Sequence, residues 1–392
     1  MQEKWSWKHW IKIGFPVSCV WIGAQVGPAL AAGTTAATYF AKFGSIGIWS
    51  ALISQLACAY FIFFGLEIGR VYKIRNYKDS YLLAWGRIAE NKVVAKILTI
   101  VNDILTIVAA CLTSALMFSM MGTSVISQLT GCSPTVGLIL TALIFLVVIM
   151  WGLGVMKAIS TILTIMLVVC FALLYFFGLS TGTSDPAVFT RAWNLPMGFG
   201  PAAAMCWAYI GIQYGTCKSC CMFTDKFNHA KDSWITAIVG ALINTLFLVV
   251  STLNLWYFYP EALEQNAPHL WIILNYYPTW TTILYYTTSV AACISTAAAV
   301  LISITRRFVP VFFKSDSKVK PMYRDMIVSS VLMVVCAFVS LVGMTTIMSK
   351  YYSMVGTLAL ILGIVPYGII FPIKYFRTPK EERERLAARD VA

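Results

Sequence analysis

The chain has 392 residues, 59% of them hydrophobic and 11% charged, with a mean hydropathy of +0.77. A soluble domain carries charge on about a quarter of its residues, so an ordinary soluble enzyme or binding module is excluded and an all-α polytopic membrane protein is implied. The net charge of +13 does not call for nucleic acid, because Lys and Arg gather in the cytoplasmic loops of membrane proteins.

A spanning helix needs about 20 apolar residues, and ten segments qualify. The first, 11–42, contains an apolar stretch from Trp21 to Phe40 that is punctuated by Gly23, Gly27, Pro28 and Gly33. Pro28 removes a backbone donor and clashes with the preceding turn, and the glycines leave helical geometry at little cost. The pattern predicts a helix from Lys12 to Ile22, an unwound segment over Gly23–Gly27 and a half-helix starting at Pro28. In hydrocarbon, freed backbone groups survive only where protein buries them or a cavity wets them. A break at mid-depth is therefore a candidate binding site.

The second span, 45–72, ends on Glu67 and Arg70, which read as a local ion pair. A polar stretch follows, with an amphipathic piece at Tyr81–Ala89 expected to lie on the surface. The third span is 94–126, the fourth 134–152 and the fifth 155–178, the last two divided at Trp151-Gly-Leu-Gly154. The sixth, 199–223, is expected to break at Gly211-Ile-Gln-Tyr-Gly215. The seventh is 233–258. An outer loop, 260–278, should hold a short helix within Pro268–Tyr277. The eighth span is 280–305, the ninth 325–348 and the tenth 351–375. The tail Pro379–Ala392 reads as a short solvated helix. The N-terminus lacks an apolar core followed by a small-residue cleavage site, so no cleaved signal is expected. Most of the eleven cysteines lie in apolar runs, where they act as small hydrophobes; only Cys132 falls outside, so no external disulfide within the chain is expected.

With the N-terminus inside, only Lys42, Arg191 and Lys350 of the 29 Lys and Arg residues fall on the outer side. That asymmetry predicts both termini in the cytoplasm of a cell-membrane protein. Residues 1–180 form one five-helix half, 181–378 a second, and 379–392 a tail. Because each half has an odd number of helices, the second is inverted. Each half opens on a small-xxx-small helix, Gly23–Gly27 and Gly211–Gly215. A single such motif is a helix-packing device. Two of them, each opening one inverted half, are the plan of a secondary transporter.

At this point the sequence resembles the five-plus-five inverted-repeat transporters, the LeuT-like fold of the amino acid–polyamine–organocation superfamily. Gly23-Ala-Gln-Val-Gly27-Pro28-Ala29 is similar to the unwound segment of its sodium-coupled members. Val26-Gly27-Pro28-Ala29-Leu30-Ala31-Ala32-Gly33, continuing to Tyr39-Phe40, resembles the first-helix signature of the YkvI-like membrane proteins. It has Thr34-Thr35 where that group usually has Gln-Glu, and Pro28-Ala29 where the group tends to have Ala-Gly.

The resemblance implies a sodium site between the first and eighth spans. Ser295 and Thr296 would supply hydroxyls, and Gly23, Val26 and Ala292 would supply carbonyls. Hard cations take oxygen ligands; adjacent Ser and Thr also bond readily to carbonyls of their own helix. The substrate pocket is expected between the two breaks, lined by Gln25, Gly27 and Ala29 from the first span and by Trp207, Tyr209, Gln213 and Tyr214 from the sixth. A half-helix N-terminus there would suit a carboxylate, and the aromatics an apolar side chain or a quaternary ammonium. Asp103 stands in the third span about 15 Å from its inner end. An intramembrane carboxylate is a functional candidate, here for a proton or a cationic substrate, or else a structural hydrogen-bond partner of a neighbouring helix. Gly211–Ser219 lacks the spacing of a phosphate loop. Cys217, Cys220 and Cys221 lack a completing ligand pair for a metal. His9, His229 and His269 lie at ends or loops.

The leading expectation is a sodium-coupled symporter of an amino acid or related small organic solute, with sodium as coupling ion and no other cofactor. Its partners would be a small-molecule substrate and the lipid bilayer. Proton coupling through Asp103 is the alternative. A non-transporting sensor on the same fold is a third reading, against which the short loops count. No nucleophile–base set suggests an enzyme.

Overall fold

The computed structural model describes residues 5–74, 77–85, 92–181, 186–196, 198–313 and 319–387. Every regular element among them is helical, and helices stand at all ten predicted spans. Five of them are long and apolar enough to cross a membrane. The third span shows how the sequence sorts its faces. Ile97, Ile100, Ile104 and Val108, spaced three or four apart, are exposed on one side, while Ala95, Thr99, Asn102 and Asp103 are buried. That periodicity puts one stripe against protein and the other against lipid.

The first span packs on the seventh and eighth, the sixth lies between the second and the tenth, and the third packs on the ninth. The first span is helical over Trp7–Ala31, apart from Gly27 at φ 24°, ψ 170°. The chain turns again at Gly33 (φ 84°), and a second helix runs over Thr34–Tyr39. The break is thus later and sharper than the predicted Gly23–Gly27 segment. Proline restricts the residue before it, so the departure falls on Gly27 alone. Gly23 has no such neighbour and stays in the helix.

The sixth span corrects the sequence reading. Phe199–Ser219 is one helix, and neither Gly211 nor Gly215 has a positive φ. A Cβ on Gly211 would come 1.9 Å from the Gly356 carbonyl oxygen. Gly211 therefore allows the sixth and tenth spans to touch backbone to backbone, the packing use of small residues. No proline lies within Gly211–Gly215 to force the helix open there. The predicted fourth and fifth spans fall within one helical run, Pro134–Thr181. Its 48 residues extend about 72 Å at helical rise, length for two crossings of a layer about 30 Å thick. Gly152 and Gly154 permit a turn without imposing one.

Two peripheral pieces, one expected on the surface and one expected in solvent, are docked on the protein. Tyr77–Trp85 is a helix whose Ser80 and Tyr81 are fully buried. The Tyr81 hydroxyl donates to Tyr214 Oη at 2.6 Å, and Ser80 bonds the Tyr367 hydroxyl. Residues 86–89 of the predicted piece lie outside the described residues. Amphipathicity specified an apolar face; protein rather than lipid headgroups covers it. Lys380–Ala387 of the tail reaches back to the second span, with Glu384 Oε2 3.0 Å from Arg70 Nη1. Arg70 also pairs with Glu67 at 2.8 Å, as expected from the spacing, and Ser233 Oγ donates to Glu67 at 2.6 Å.

Candidate functional site

A cavity of about 40 Å³ lies at the break in the first span. Ala24, Gln25, Gly27, Ala29 and Leu30 line it from the first helix, on both sides of the break, and Thr35 and Tyr39 from the helix that follows Gly33. The third span adds Thr113, Leu116 and Met117; the sixth adds Tyr209, Ile212 and Gln213; Thr296 enters from the eighth and Met348 and Tyr352 from the tenth, which starts at Met344 rather than the predicted 351 because the ninth helix ends at Ser340 and the chain turns at Gly343. The sequence accounts for the opening. Pro28 has no N–H, so the Ala24 carbonyl loses its helical donor. Gly27 carries no side chain to fill the gap; a Cβ there would meet only Thr296 Oγ1, 4.0 Å away.

The walls are polar but uncharged. Tyr39 Oη donates to the Met348 carbonyl at 3.0 Å and lies 2.7 Å from Ser353 Oγ. Thr113 donates to Ala109 O at 2.8 Å, so at their 2.9 Å separation the Tyr352 hydroxyl donates to Thr113. The Tyr209 ring packs edge-on against Phe40, and its hydroxyl accepts from Gln55 Nε2 at 3.4 Å. Gln25 is 5% exposed. Its Nε2 reaches only Cys58 Sγ at 3.8 Å, and its Oε1 has no partner among the described residues. A buried carboxamide left half-bonded is costly, and its position on the cavity wall points to water or a ligand as the missing partner.

Of the residues predicted for substrate, Gln25, Gly27, Ala29, Tyr209 and Gln213 come together on this cavity. Tyr214 does not. It is fully buried in a ring cluster with Phe61 and Tyr367, on the side reached by Tyr81. Trp207 is half-buried at the edge of the same cluster. Both miss because the uninterrupted sixth helix turns them away from the face that carries Tyr209 and Gln213.

Of the residues predicted for sodium, Thr296 and Gly23 meet directly, the hydroxyl donating to the carbonyl at 3.3 Å. Val26 and Ala292 are fully buried on the same two spans. The side chain of Ser295 lies outside the described residues. Asp103 is buried, but it stands ten residues before Thr113, about 15 Å along the helix, and does not line the cavity. The sequence reading missed Thr113, Met348 and Tyr352. A hydroxyl inside an otherwise apolar run was the available signal. The tenth span also winds as a π-helix over Ile347–Tyr352, a feature frequent at functional sites.

No family model matches the sequence, and no curated protein matches it. The YkvI-like likeness therefore rests on the first-span motif alone. Solved structures do match. A Na+-coupled sialic acid symporter, described in a substrate-bound outward-open state, aligns with a TM-score of 0.63 at 16% identity, over 93% of this chain and 79% of that one. MhsT in complex with L-phenylalanine aligns at 0.65 and 12% identity, over 96% and 92%. A manganese transporter mutant of Eremococcus coleocola aligns at 0.60 and 15% identity, over 94% and 80%. At these identities the likeness speaks to architecture. The chain is an all-α, multi-pass membrane protein with the LeuT fold.

Proposed function

We propose that the protein is a secondary active transporter, a sodium-coupled symporter of an amino acid or related small organic solute that works by alternating access. The observation that carries the reading is the cavity at Gly27, where a broken helix exposes backbone groups beside Thr296 and the half-bonded Gln25. Cargo would contact Gln25, Tyr209 and Gln213, and sodium would sit by Gly23, Val26, Ala292, Ser295 and Thr296. The aligned sialic acid symporter is Na+-coupled and the aligned MhsT structure holds an amino acid, which supports both halves of the proposal. The distribution of Lys and Arg supports both termini in the cytoplasm, with residues 1–180 and 181–378 as the inverted halves. A kinship with the YkvI-like proteins is supported by the first-span signature, Val26 to Gly33.

An organic cargo fits the lining better than a metal ion. Among the described residues no Asp, Glu, Lys or Arg lines the cavity, and hard divalent cations favour carboxylates. Proton coupling through Asp103 is the second reading, favoured by its burial within an apolar span. Uptake into proteoliposomes separates the two. The sodium reading expects accumulation of labelled neutral amino acids under an inward sodium gradient and none when potassium replaces sodium. Equal accumulation in both, abolished by Asp103→Asn, would transfer the coupling to the proton.

A further inference from the structure

The cavity wall has two parts separated by Gly33. Leu30 lies before it, and Thr35 and Tyr39 after it. Ending the first helix at Ala31 leaves carbonyls without helical donors, and at this depth they need partners. Those partners come from the outer loop. The helix Pro268–Tyr276 brings His269 against the break. The His269 backbone N–H donates to Ala32 O at 2.9 Å. Its Nδ1 lies 3.1 Å from Ala31 O. A carbonyl only accepts, so Nδ1 carries the proton and Nε2 accepts from Ser251 Oγ at 3.1 Å. His269 is fully buried. Gly33 fits beneath it only because it has no side chain: an added Cβ would lie 3.1 Å from the ring. The next residue is tied to the same loop, with Thr34 Oγ1 donating to Asn266 O at 2.9 Å.

We propose that His269 is the positioning residue of the cargo site: it caps the Ala31 and Ala32 carbonyls at the end of the first helix, before Gly33, and so holds Thr35 and Tyr39 on the cavity. The wall then stays in place only while the outer loop is seated, which couples that loop to the site. The effect on transport rests on the cargo reading of the cavity; the placement of the segment does not.

Hydrogen–deuterium exchange of the full-length protein in nanodiscs tests this without a known cargo. His269→Ala removes the side-chain donor. It should speed exchange at the amides of residues 33–41 about tenfold, the effect of one lost hydrogen bond, and leave those of 235–250 unchanged. His269→Asn, which keeps an N–H donor of similar reach, should return the rate toward that of the parent protein. A purely structural residue would raise exchange in both segments and would not be rescued by Asn. Unchanged exchange at 33–41 in a folded His269→Ala protein, or a rise common to both segments, overturns the proposal. Uptake of labelled neutral amino acids is read alongside. If the parent shows none but the exchange pattern holds, the cargo reading fails and the positioning role stands. If the parent transports, His269→Ala should raise KM and His269→Asn should restore it.

Discussion

Thr296 and His269 carry the sharpest tests among single residues. Thr296 gives its hydroxyl proton to Gly23 O, and its oxygen lone pairs remain available to a cation. Thr296→Val keeps the shape and removes that oxygen. Sodium should then no longer raise the melting temperature of the purified protein, while Thr296→Ser should retain the shift. A sodium shift that survives the valine would remove this hydroxyl from the ion site. His269 makes stability depend on pH. Burial pushes its pKa from 6.5 down to about 4, so the unfolded chain takes up a proton that the folded one refuses. The stabilisation is complete above about pH 6.5 and is lost as pH falls toward about 4, up to about 3 kcal/mol. Phe171, Gly33 and Ser251 pack on the ring, and none of them titrates in that window. The difference in melting temperature between the parent and His269→Asn should therefore change sharply between pH 7 and pH 4.5; a flat difference would contradict a buried neutral imidazole.

Whole helices separate the two glycine motifs that look alike in sequence. Gly27→Ala meets nothing closer than 4.0 Å, so its cost is backbone strain at positive φ, about 1–3 kcal/mol. Gly211→Ala would press a methyl into the Gly356 carbonyl and drive the sixth and tenth spans apart. It should cost at least as much and should be partly relieved by no neighbouring truncation, because the obstacle is backbone. Thermal unfolding in detergent measures both, and a harmless Gly211→Ala would reopen the question of a break in the sixth span. At the inner end of the second span, Arg70 is fully buried between Glu67 and Glu384. Arg70→Met strands the Glu67 carboxylate and should cost about 3–5 kcal/mol. Adding Glu67→Gln should recover much of it, because the stranded charge, not the lost pair, is the larger penalty; no recovery would argue against that account.

For the molecule as a whole, hydropathy placed helices at every span because a lipid-crossing backbone must be fully paired, and apolar runs of about 20 residues achieve that as helices. The break at Pro28 was also visible, since a missing N–H is a covalent fact. What could not be read was the use of a glycine. Gly23, Gly27 and Gly211 are the same residue in the same spacing, yet one stays helical, one breaks and one packs, and only the partner helix decides. Likewise the burial of Tyr81 and the docking of Glu384 depend on what the fold brings opposite them. The cavity was half legible: the first- and sixth-span faces followed from the motif, but Thr113, Met348 and Tyr352 arrive from spans that carry no glycine–proline break to mark them.

The volume at the break has a consequence for the bilayer around it. About 40 Å³ admits only a few waters, and next to the cavity-lining Gln213 on the sixth span Tyr214 forms a plug of bonded or packed rings with Tyr81 and Tyr367. Vesicles carrying the empty protein should therefore hold an imposed ionic gradient as tightly as vesicles of lipid alone, and a tritiated-water or sodium-22 leak above that level would mean that this plug is not the resting state.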